Sequence, residues 1–263
     1  MSNPLLYAAC GLIVGALVGL TGVGGGSLMT PILVLVFGQP PAMAVGTDLM
    51  FSAGTKLVAT ASFGFSRRVD WRIVGRLAIG SVPAVAAVIA WFWLDHRPPG
   101  AVDQLISRCL AVILALAAAA LLLQDPLRRL GLTFTAAWFT GAERHKVALT
   151  VAAGVLLGVG VSVTSVGAGA LGAAVLVALY PLRLPSDRLV ATDIAHALPI
   201  TAIAAAGHAV LGHVNLRVLA CLLVGSIPGV ILATRATIRL PAQLTRTLIA
   251  IMLALVSERL FVS

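Results

Sequence analysis

The sequence predicts an all-α polytopic membrane protein that consists of two homologous repeats. Its hydrophobic fraction is 60%, its charged fraction is 10% and its mean hydropathy is +1.06, whereas roughly 25% of the residues of a soluble domain are charged. Apolar runs near the roughly 20 residues needed to span a bilayer recur along the chain. Motifs of the first half also return in the second half in a nearly constant register.

Eight apolar runs are long enough to cross a bilayer or to enter it deeply. They cover residues 5–37, 42–64, 73–94, 105–123, 147–180, 189–210, 216–234 and 241–262. No basic segment precedes the first run, so we do not expect a cleaved signal peptide there. The net charge of +9 comes from arginines scattered through short connections, where positive charge sets membrane orientation. The lipid bilayer is therefore an expected partner, and nucleic acid is not.

Glycine-rich stretches interrupt the first and fifth runs, at Gly22–Gly26 and at Ser165–Gly169. Glycine is a poor helix residue, so each of these runs is predicted to be a broken helix. Unpaired backbone groups are costly in hydrocarbon, and irregular backbone at membrane depth therefore lies inside the protein or lines a wet cavity. We expect the functional site at these two breaks.

The repeat is visible as a constant offset between matching residues. Gly11, Gly15, Gly24 and Gly26 return 143 positions later as Gly154, Gly158, Gly167 and Gly169. Thr47-Asp48 and Gly80-Ser-Val-Pro83 return 145 positions later as Thr192-Asp193 and Gly225-Ser-Ile-Pro228. The predicted organisation is an N-terminal transmembrane repeat over residues 1–123, a cytoplasmic linker over 124–146 and a C-terminal transmembrane repeat over 147–263.

The distribution of Lys and Arg predicts how the repeats are oriented. If all eight runs cross and the N-terminus is cytoplasmic, 10 of 17 basic residues face the cytoplasm, leaving intramembrane Lys56 aside. If each broken run is a re-entrant hairpin and the N-terminus is outside, 13 face the cytoplasm and 4 do not. The second arrangement fits the positive-inside rule better. Each repeat then has a re-entrant first segment and three transmembrane helices, and this odd number makes the repeats inverted, as in many secondary transporters.

The two breaks supply candidate substrate-binding residues. Free N–H groups and the dipole at the start of a helix attract anions. The predicted contacts are Gly24, Gly25, Gly26 and Ser27 at the first break and Gly167, Ala168 and Gly169 at the second, with further hydroxyl donors from Thr21, Thr164 and Ser165. The alternative is that these glycines serve only close helix packing.

Ionisable residues inside apolar sequence are the other candidates, because each is costly in a bilayer. Lys56 and His196 have no counterpart in the other repeat, so we expect them to contact the anion and to give the site its selectivity. The pairs Thr47-Asp48 and Thr192-Asp193 are repeated, and we expect them to have a coupling or structural role.

Other kinds of chemistry have little support in the residue pattern. The sequence lacks zinc-ligand spacing, a phosphate-binding loop and an evident nucleophile with its base. We therefore expect no metal site, no cofactor and no enzymatic activity. His208 lies near the end of an apolar run and is expected at the membrane interface. Gly-x-x-x-Gly faces permit a homodimer but do not require one.

The motif Gly-x-Gly-Gly-Gly-x-x-x-x-Pro-x-Leu at Gly22–Leu33 and the Ala-Val-Gly-Thr-Asp-Leu at Ala44–Leu49 have weaker second copies. Together they resemble the TauE/SafE family of membrane permeases over nearly the whole chain. The resemblance implies a multi-pass protein that exports sulfite or a small organosulfonate, such as sulfoacetate, across the bacterial inner membrane. The second copy departs from the motif, because Ala168 replaces the middle glycine and Ala174 replaces the proline.

The predicted function is a secondary transporter that holds a small sulfur-containing anion, such as sulfite or a C2 sulfonate, near the midplane of the bilayer. Asp193 and His196 are three residues apart on one helical face and would couple transport to protons. Two alternatives remain open. A cation or metal-ion transporter would use Asp48, Asp193 and His196 as ligands. A non-transporting assembly or sensor component would need no continuous access to the midplane.

Overall fold

The structure, a computed structural model, describes residues 4–21, 26–63, 69–95, 98–137, 143–167, 169–235 and 242–262. Within these ranges every regular element is a helix. The helices are α1 Pro4–Thr21, α2 Gly26–Leu35, α3 Pro41–Phe63, α4 Trp71–Leu94, α5 Pro99–Leu122, α6 Gln124–Ala137, α7 Glu143–Thr164, α8 Ala170–Leu179, α9 Ser186–Val210, α10 Leu216–Arg235 and α11 Ala242–Val262. Helix α6 thus lies in the predicted linker, and α7 begins within it.

Five of the described helices, α4, α5, α7, α9 and α10, have the length and hydropathy of a membrane-spanning helix. Large apolar side chains on their outer faces are exposed, among them Trp93 and Leu156, as expected for helices surrounded by lipid. The chain is therefore a multi-pass membrane protein. Helices α2 and α8 have ten residues each, and at a rise of about 1.5 Å per residue each covers about half of a bilayer.

In each half, the first long helix and the short helix after it fold back on one another. Tyr7, near the start of α1, stacks on Phe37, just beyond the end of α2, with ring centroids 4.1 Å apart. In the second half, the hydroxyls of Thr150 in α7 and Tyr180, directly after α8, are 2.8 Å apart. Tyr7 and Thr150 differ by 143 positions, and so do Phe37 and Tyr180. Both broken segments are therefore hairpins closed by contacts at equivalent positions.

Glycines bring α10 against α1, and α4 against α7, at backbone contact. A Cβ atom added at Gly225 in α10 would collide with the carbonyl oxygen of Ala8, and one added at Gly80 in α4 would collide with that of Val151. Ala8 and Val151 are 143 positions apart, and Gly80 and Gly225 are 145 apart. Small residues permit such contacts between membrane helices, whose association depends on close packing. Helices of one half therefore pack on helices of the other half.

The starts of α4 and α10 are held by a second pair of equivalent contacts. Asp70 and Asn215 each accept a hydrogen bond from the N–H group three residues later, at 3.3 and 3.2 Å, and so cap these helices. The N–H of Asp70 donates to the Thr192 hydroxyl at 3.1 Å, and the N–H of Asn215 donates to the Thr47 hydroxyl at 2.9 Å. Thr47 and Thr192 thus link the start of a helix in the opposite half to their own helices, α3 and α9.

Candidate functional site

The first break contributes four of the predicted site residues. Helix α1 ends at Thr21 and α2 begins at Gly26, so the helix is interrupted at the glycine-rich stretch, as the sequence predicts. Gly24 and Gly25 lie outside the described residues. Gly26 and Ser27 form the first turn of α2. The N-terminal end of a short helix is therefore present where the sequence places an anion contact.

The second break contributes three predicted residues. Helix α7 ends at Thr164 and α8 begins at Ala170, while Ala168 lies outside the described residues. Gly167 and Gly169 have φ angles of 133° and 142°, a backbone region that residues with a side chain rarely adopt. These glycines therefore let the chain leave one helix and enter the next within five residues.

Asp48 lies in α3 and is fully buried. Its Oδ2 accepts hydrogen bonds from the backbone N–H of Thr30 at 3.0 Å and from the Thr30 hydroxyl at 2.5 Å. Because Thr30 is in the first half of the short helix α2, Asp48 places a carboxylate near the N-terminal part of that helix, where negative charge is favourable. Its Oδ1 has no hydrogen-bond partner among the described residues. One oxygen of Asp48 therefore supports the scaffold and the other remains available.

Asp193 occupies the corresponding place in the second half. Its carboxylate lies against Gly172, in the first turn of α8, so closely that a Cβ atom there would collide with Oδ1. Each repeated aspartate thus lies beside the start of the short helix in its own half. This position agrees with the structural role considered for the pair, since an acidic group stabilises the positive end of a helix.

Lys56 lies two turns after Asp48 in α3, with a side chain that is only 2% exposed. Its Nζ has no hydrogen-bond partner within the described part of the chain. The ammonium group interacts electrostatically with Asp193 of the other half and with Asp48 of its own helix. Lys56 is therefore buried within electrostatic range of both carboxylates, and its own hydrogen-bonding capacity is unused.

His196 lies in α9 and is 1% exposed. Its Nε2 is 2.9 Å from the hydroxyl of Ser81 in α4, and its ring is close enough to Lys56 to interact with it electrostatically. The four intramembrane ionisable residues selected from the sequence, Asp48, Lys56, Asp193 and His196, thus form one buried cluster. It joins helices of both halves beside the two breaks.

The cluster also contains hydroxyl groups that the sequence reading did not select. Thr30, Ser52 and Ser81 are all 0% exposed. Thr30 in α2 bonds to Asp48 and Ser81 in α4 lies 2.9 Å from His196, while Ser52 lies on the face of α3 that carries Asp48 and Lys56. The sequence does contain a pattern that points to Ser52, because this residue lies one helical turn from both Asp48 and Lys56. A single buried serine is common enough in membrane helices that this spacing carries little weight alone.

His208 lies in the last turn of α9, and its place at the membrane interface stays a prediction. It is fully buried, with Nε2 2.8 Å from the carbonyl oxygen of Ser162 and Nδ1 3.2 Å from Nδ1 of His213. The carbonyl group satisfies the ring within the protein, which removes the need for water. Burial lowers the pKa of His213, in the connection after α9, although nearby Asp103 acts in the opposite direction. This histidine pair lies at the end of α9 remote from Asp193.

The buried cluster combines acidic and basic side chains. It contains two carboxylates, one ammonium group and one imidazole, so both signs of charge are present. Among the described residues, no group of three or more His, Cys, Asp or Glu side chains has the arrangement needed to hold a metal ion. The donors that remain free, at the Lys56 ammonium group and the Ser52 hydroxyl, suit a ligand with acceptor oxygens, whereas the free Oδ1 of Asp48 is itself an acceptor.

Comparison with known proteins places the whole chain among membrane transporters. The family described as sulfite exporter TauE/SafE matches residues 7–260. The probable membrane transporter protein YjnA of Bacillus subtilis (strain 168) is 37% identical over 229 residues, which cover 87% of this chain and 88% of YjnA. The probable membrane transporter protein YunE of the same organism is 37% identical over 84 residues, covering 32% of this chain and 28% of YunE. No solved structure matches the chain significantly. The family match spans nearly all of the helices described above, and the chain belongs to the sulfite exporter TauE/SafE family of membrane transporters.

Proposed function

We propose that the protein is a secondary permease that exports a small sulfur-containing anion, such as sulfite or a C2 sulfonate, across the bacterial inner membrane. The observation that carries this proposal is the buried ammonium group of Lys56, which has no hydrogen-bond partner among the described residues. A lysine held in the protein interior needs compensating charge and acceptors. Asp48 and Asp193 compensate the charge, and the oxygen atoms of an oxyanion bound beside the two helix breaks would supply the missing acceptors. The family description names sulfite.

The two aspartates bear on how an anion could enter this site. With Asp48 and Asp193 ionised and His196 neutral, the cluster including Lys56 carries a formal charge of −1. Adding an anion to this buried site would leave charge uncompensated, at a large cost in free energy. Uptake of a proton by a carboxylate or by His196 removes that cost. We therefore infer that anion transport is coupled to proton movement.

The inverted arrangement is part of the proposal, and the contacts between α3 and α9 support it. Thr192, near the start of α9, bonds to Asp70, which follows the end of α3 by seven residues. Thr47, near the start of α3, bonds to Asn215, which follows the end of α9 by five residues. The start of each helix therefore lies near the end of the other. Equivalent helices that run antiparallel are expected of inverted repeats.

Closure of the hairpins by Tyr7 and Phe37, and by Thr150 and Tyr180, supports re-entrant first segments. Helix α7 has the length of a membrane-spanning helix, but the contact of Tyr180 with Thr150 brings the chain back to within seven residues of the start of α7. Each first segment would therefore return to the side on which it begins, leaving three crossings in each half. With this topology the cytoplasmic side carries most of the basic residues, which agrees with the positive-inside rule. The two short helices would then begin near the midplane, and a substrate there could be exposed to either side in turn.

The proposed function is tested by ligand-induced thermal shift of the purified protein with sulfite, sulfoacetate, taurine and sulfate. Selective stabilisation by a sulfur oxyanion is expected, with a shift that grows with ligand concentration. Uptake of the stabilising anion into proteoliposomes then tests transport. No shift with any of these anions, together with a shift by a divalent cation, would instead support the transporter that uses Asp48, Asp193 and His196 as ligands.

Replacing His196 with glutamine is expected to weaken the pH dependence of transport. The glutamine can keep a hydrogen bond to Ser81, but it cannot take up a proton. The charged group that interacts with this position is Lys56 from α3, and Asp193 precedes it by three residues on its own helix. Uptake of ethanesulfonate should be measured between pH 5.5 and 8, because this sulfonate does not titrate there. Wild-type uptake should change with pH, and the variant should respond less. An identical pH profile would count against a role of His196 in proton coupling.

The starts of α4 and α10 are otherwise equivalent, but among the described residues an ion pair is found only at the start of α4, on the predicted cytoplasmic side. Arg183, after α8, contacts Asp70 through Nε and Nη2 at 2.6 and 3.1 Å. Burial raises the pKa of Asp70, but the hydrogen bonds from Arg183 and from backbone N–H groups outweigh it and hold the pKa below its ordinary value. The equivalent of Asp70 is uncharged Asn215, and position 40, which matches Arg183, is a proline. We infer that this pair favours closure of the cytoplasmic side.

Replacing Asp70 with asparagine is therefore expected to shift the protein toward an inward-open state. Asparagine is also a good N-cap and reproduces the equivalent Asn215. Because Arg183 is 42% exposed, the pair is worth only about 1 kcal/mol, which corresponds to a roughly fivefold change in population. Maleimide labelling of a cysteine at position 165, in a chain without its natural cysteines, should increase from the cytoplasmic side. Asn215→Asp is the matched control and should not increase it. Equal labelling of Asp70→Asn and the parent would contradict the inference that the Asp70–Arg183 pair favours closure of the cytoplasmic side.

A further inference from the structure

Two buried serines differ from the other buried serine and threonine residues that the structure describes. Among those residues, Ser52 and Ser165 alone have a hydroxyl without a hydrogen-bond partner. Both are almost inaccessible, at 0% and 1% exposure. A buried hydroxyl without a partner is costly, so each of these two positions calls for a physical reason.

The usual way to satisfy a hydroxyl inside a membrane helix is a bond to the backbone carbonyl one turn earlier. Thr55, Thr150, Ser162, Thr164 and Thr201 all donate to the carbonyl four residues before them, at 2.7 to 3.0 Å. Ser52 is in α3 but does not make this bond. It lies between Asp48 and Lys56, one turn from each, and so belongs to the helical face that carries the charged cluster.

Ser165 is held at the second break in a backbone conformation that is unfavourable for it. Its φ angle is 61°, a left-handed value that costs free energy for any residue other than glycine. The Ser165 side chain interacts with the Asp48 carboxylate of the other half, although its hydroxyl is not in hydrogen-bonding geometry with that group. A glycine at this position would remove the conformational strain of the backbone. The presence of a serine is therefore best explained by a function of its hydroxyl group.

Neither serine is repeated in the other half. The position equivalent to Ser52 is Ala197, and the position equivalent to Ser165 is Gly22. Lys56 is likewise unrepeated, with Thr201 at the matching position. Ser52, Lys56 and Ser165, which have unused hydrogen-bond donors, therefore come from both halves, and none of them has a counterpart in the other half. Such groups suit recognition of a ligand that itself lacks two-fold symmetry.

We propose that Ser52 and Ser165 are specificity-determining residues that donate hydrogen bonds to the oxygen atoms of the transported anion. This inference rests on the proposed function. It adds Ser52 to the site, and it gives Ser165, one of the hydroxyl donors expected at the second break, a role in specificity. Together with the Lys56 ammonium group, the two hydroxyls provide a donor for each oxygen of an –SO3 group. Hydrogen bonds to a charged group are stronger than those between neutral groups, which offsets the cost of keeping the hydroxyls unpaired.

The test compares Ser52→Ala and Ser165→Ala with Ser162→Ala, a buried serine whose hydroxyl bonds to the Gly158 carbonyl at 2.8 Å. Dissociation constants for sulfite and ethanesulfonate, measured by isothermal titration calorimetry, should rise about tenfold or more for the first two variants and should not change for the control. Without ligand, Ser52→Ala should melt at the same temperature as wild type or higher, because it removes an unsatisfied group. A merely structural role predicts the opposite, a lower melting temperature with unchanged affinity.

A third variant, Ser165→Gly, guards against misfolding at the break, because glycine accepts the left-handed backbone. It should fold and bind as weakly as Ser165→Ala. If wild type binds a sulfur oxyanion and the serine variants bind within twofold of it, the inference is wrong although the proposed function stands. If wild type binds none of the anions, the proposed function itself fails, and this inference fails with it.

Discussion

Replacing Lys56 with methionine is expected to lower the affinity for the sulfur-containing anion by at least a hundredfold. Methionine keeps an unbranched side chain of similar length but removes the charge. Loss of one partner from a buried ion pair costs about 3–5 kcal/mol, and each 1.4 kcal/mol corresponds to about a factor of ten in affinity. Binding is measured by isothermal titration calorimetry, and transport is measured as uptake into proteoliposomes. Both should fall together, because the proposed site lies on the transport path.

Lys146 provides the matched control for this substitution. It lies near the start of α7 with its ammonium group 4.7 Å from the centre of the Tyr180 ring, away from the buried cluster. Lys146→Met should change anion affinity by less than twofold. If Lys56→Met fails to fold because two carboxylates lose their cation, the double variant Lys56→Met/Asp193→Asn restores the formal charge balance of the cluster. Full anion binding by a folded Lys56 variant would contradict the role of Lys56 in the proposed anion site.

The charged members of the cluster could be predicted from the sequence because a formal charge in apolar sequence is rare and costly. Lys56, Asp193 and Asp48 interact in the structure, and His196 interacts with Lys56. The two helix breaks were also predictable, since consecutive glycines disfavour a helix. The substrate-binding roles assigned to these residues stay predictions. Gly24, Gly25 and Ala168 are not described by the structure, so nothing about their geometry enters the proposed site.

The hydroxyl groups of the cluster could not be predicted in the same way. A serine or threonine in a helix usually bonds to its own backbone, and the sequence does not distinguish that case from a hydroxyl turned toward a ligand. Thr30 and Ser81 acquire their roles only through partners on other helices, Asp48 and His196. The burial of His208 could not be predicted for a related reason, because the carbonyl group that accepts its hydrogen bond belongs to a residue 46 positions away.

Replacing Gly80 with valine is expected to prevent normal assembly of the two halves. The added Cβ would collide with the backbone of Val151 in α7, and backbone atoms of a helix cannot move aside as a flexible side chain can. Forcing extra atoms into a well-packed interface typically lowers the stability by about 1–3 kcal/mol. Because the collision here is with the backbone, we expect a loss at or above the upper end of this range. The melting temperature and the yield of monodisperse protein after detergent extraction should both fall sharply.

Gly75 supplies the control within the same helix, because a Cβ atom added there has no neighbour within 4 Å. Gly75→Val should leave the free energy of unfolding within about 0.5 kcal/mol of wild type. Gly225→Val tests the equivalent contact of α10 with Ala8 in α1 and should be as damaging as Gly80→Val. If Gly80→Val behaved like Gly75→Val, α4 and α7 could not be in backbone contact. If only one of the two interface glycines tolerated valine, the α1–α10 and α4–α7 contacts would not be equivalent. The case for two related halves would then rest on the paired hairpin closures and on the paired hydrogen bonds at the starts of α4 and α10.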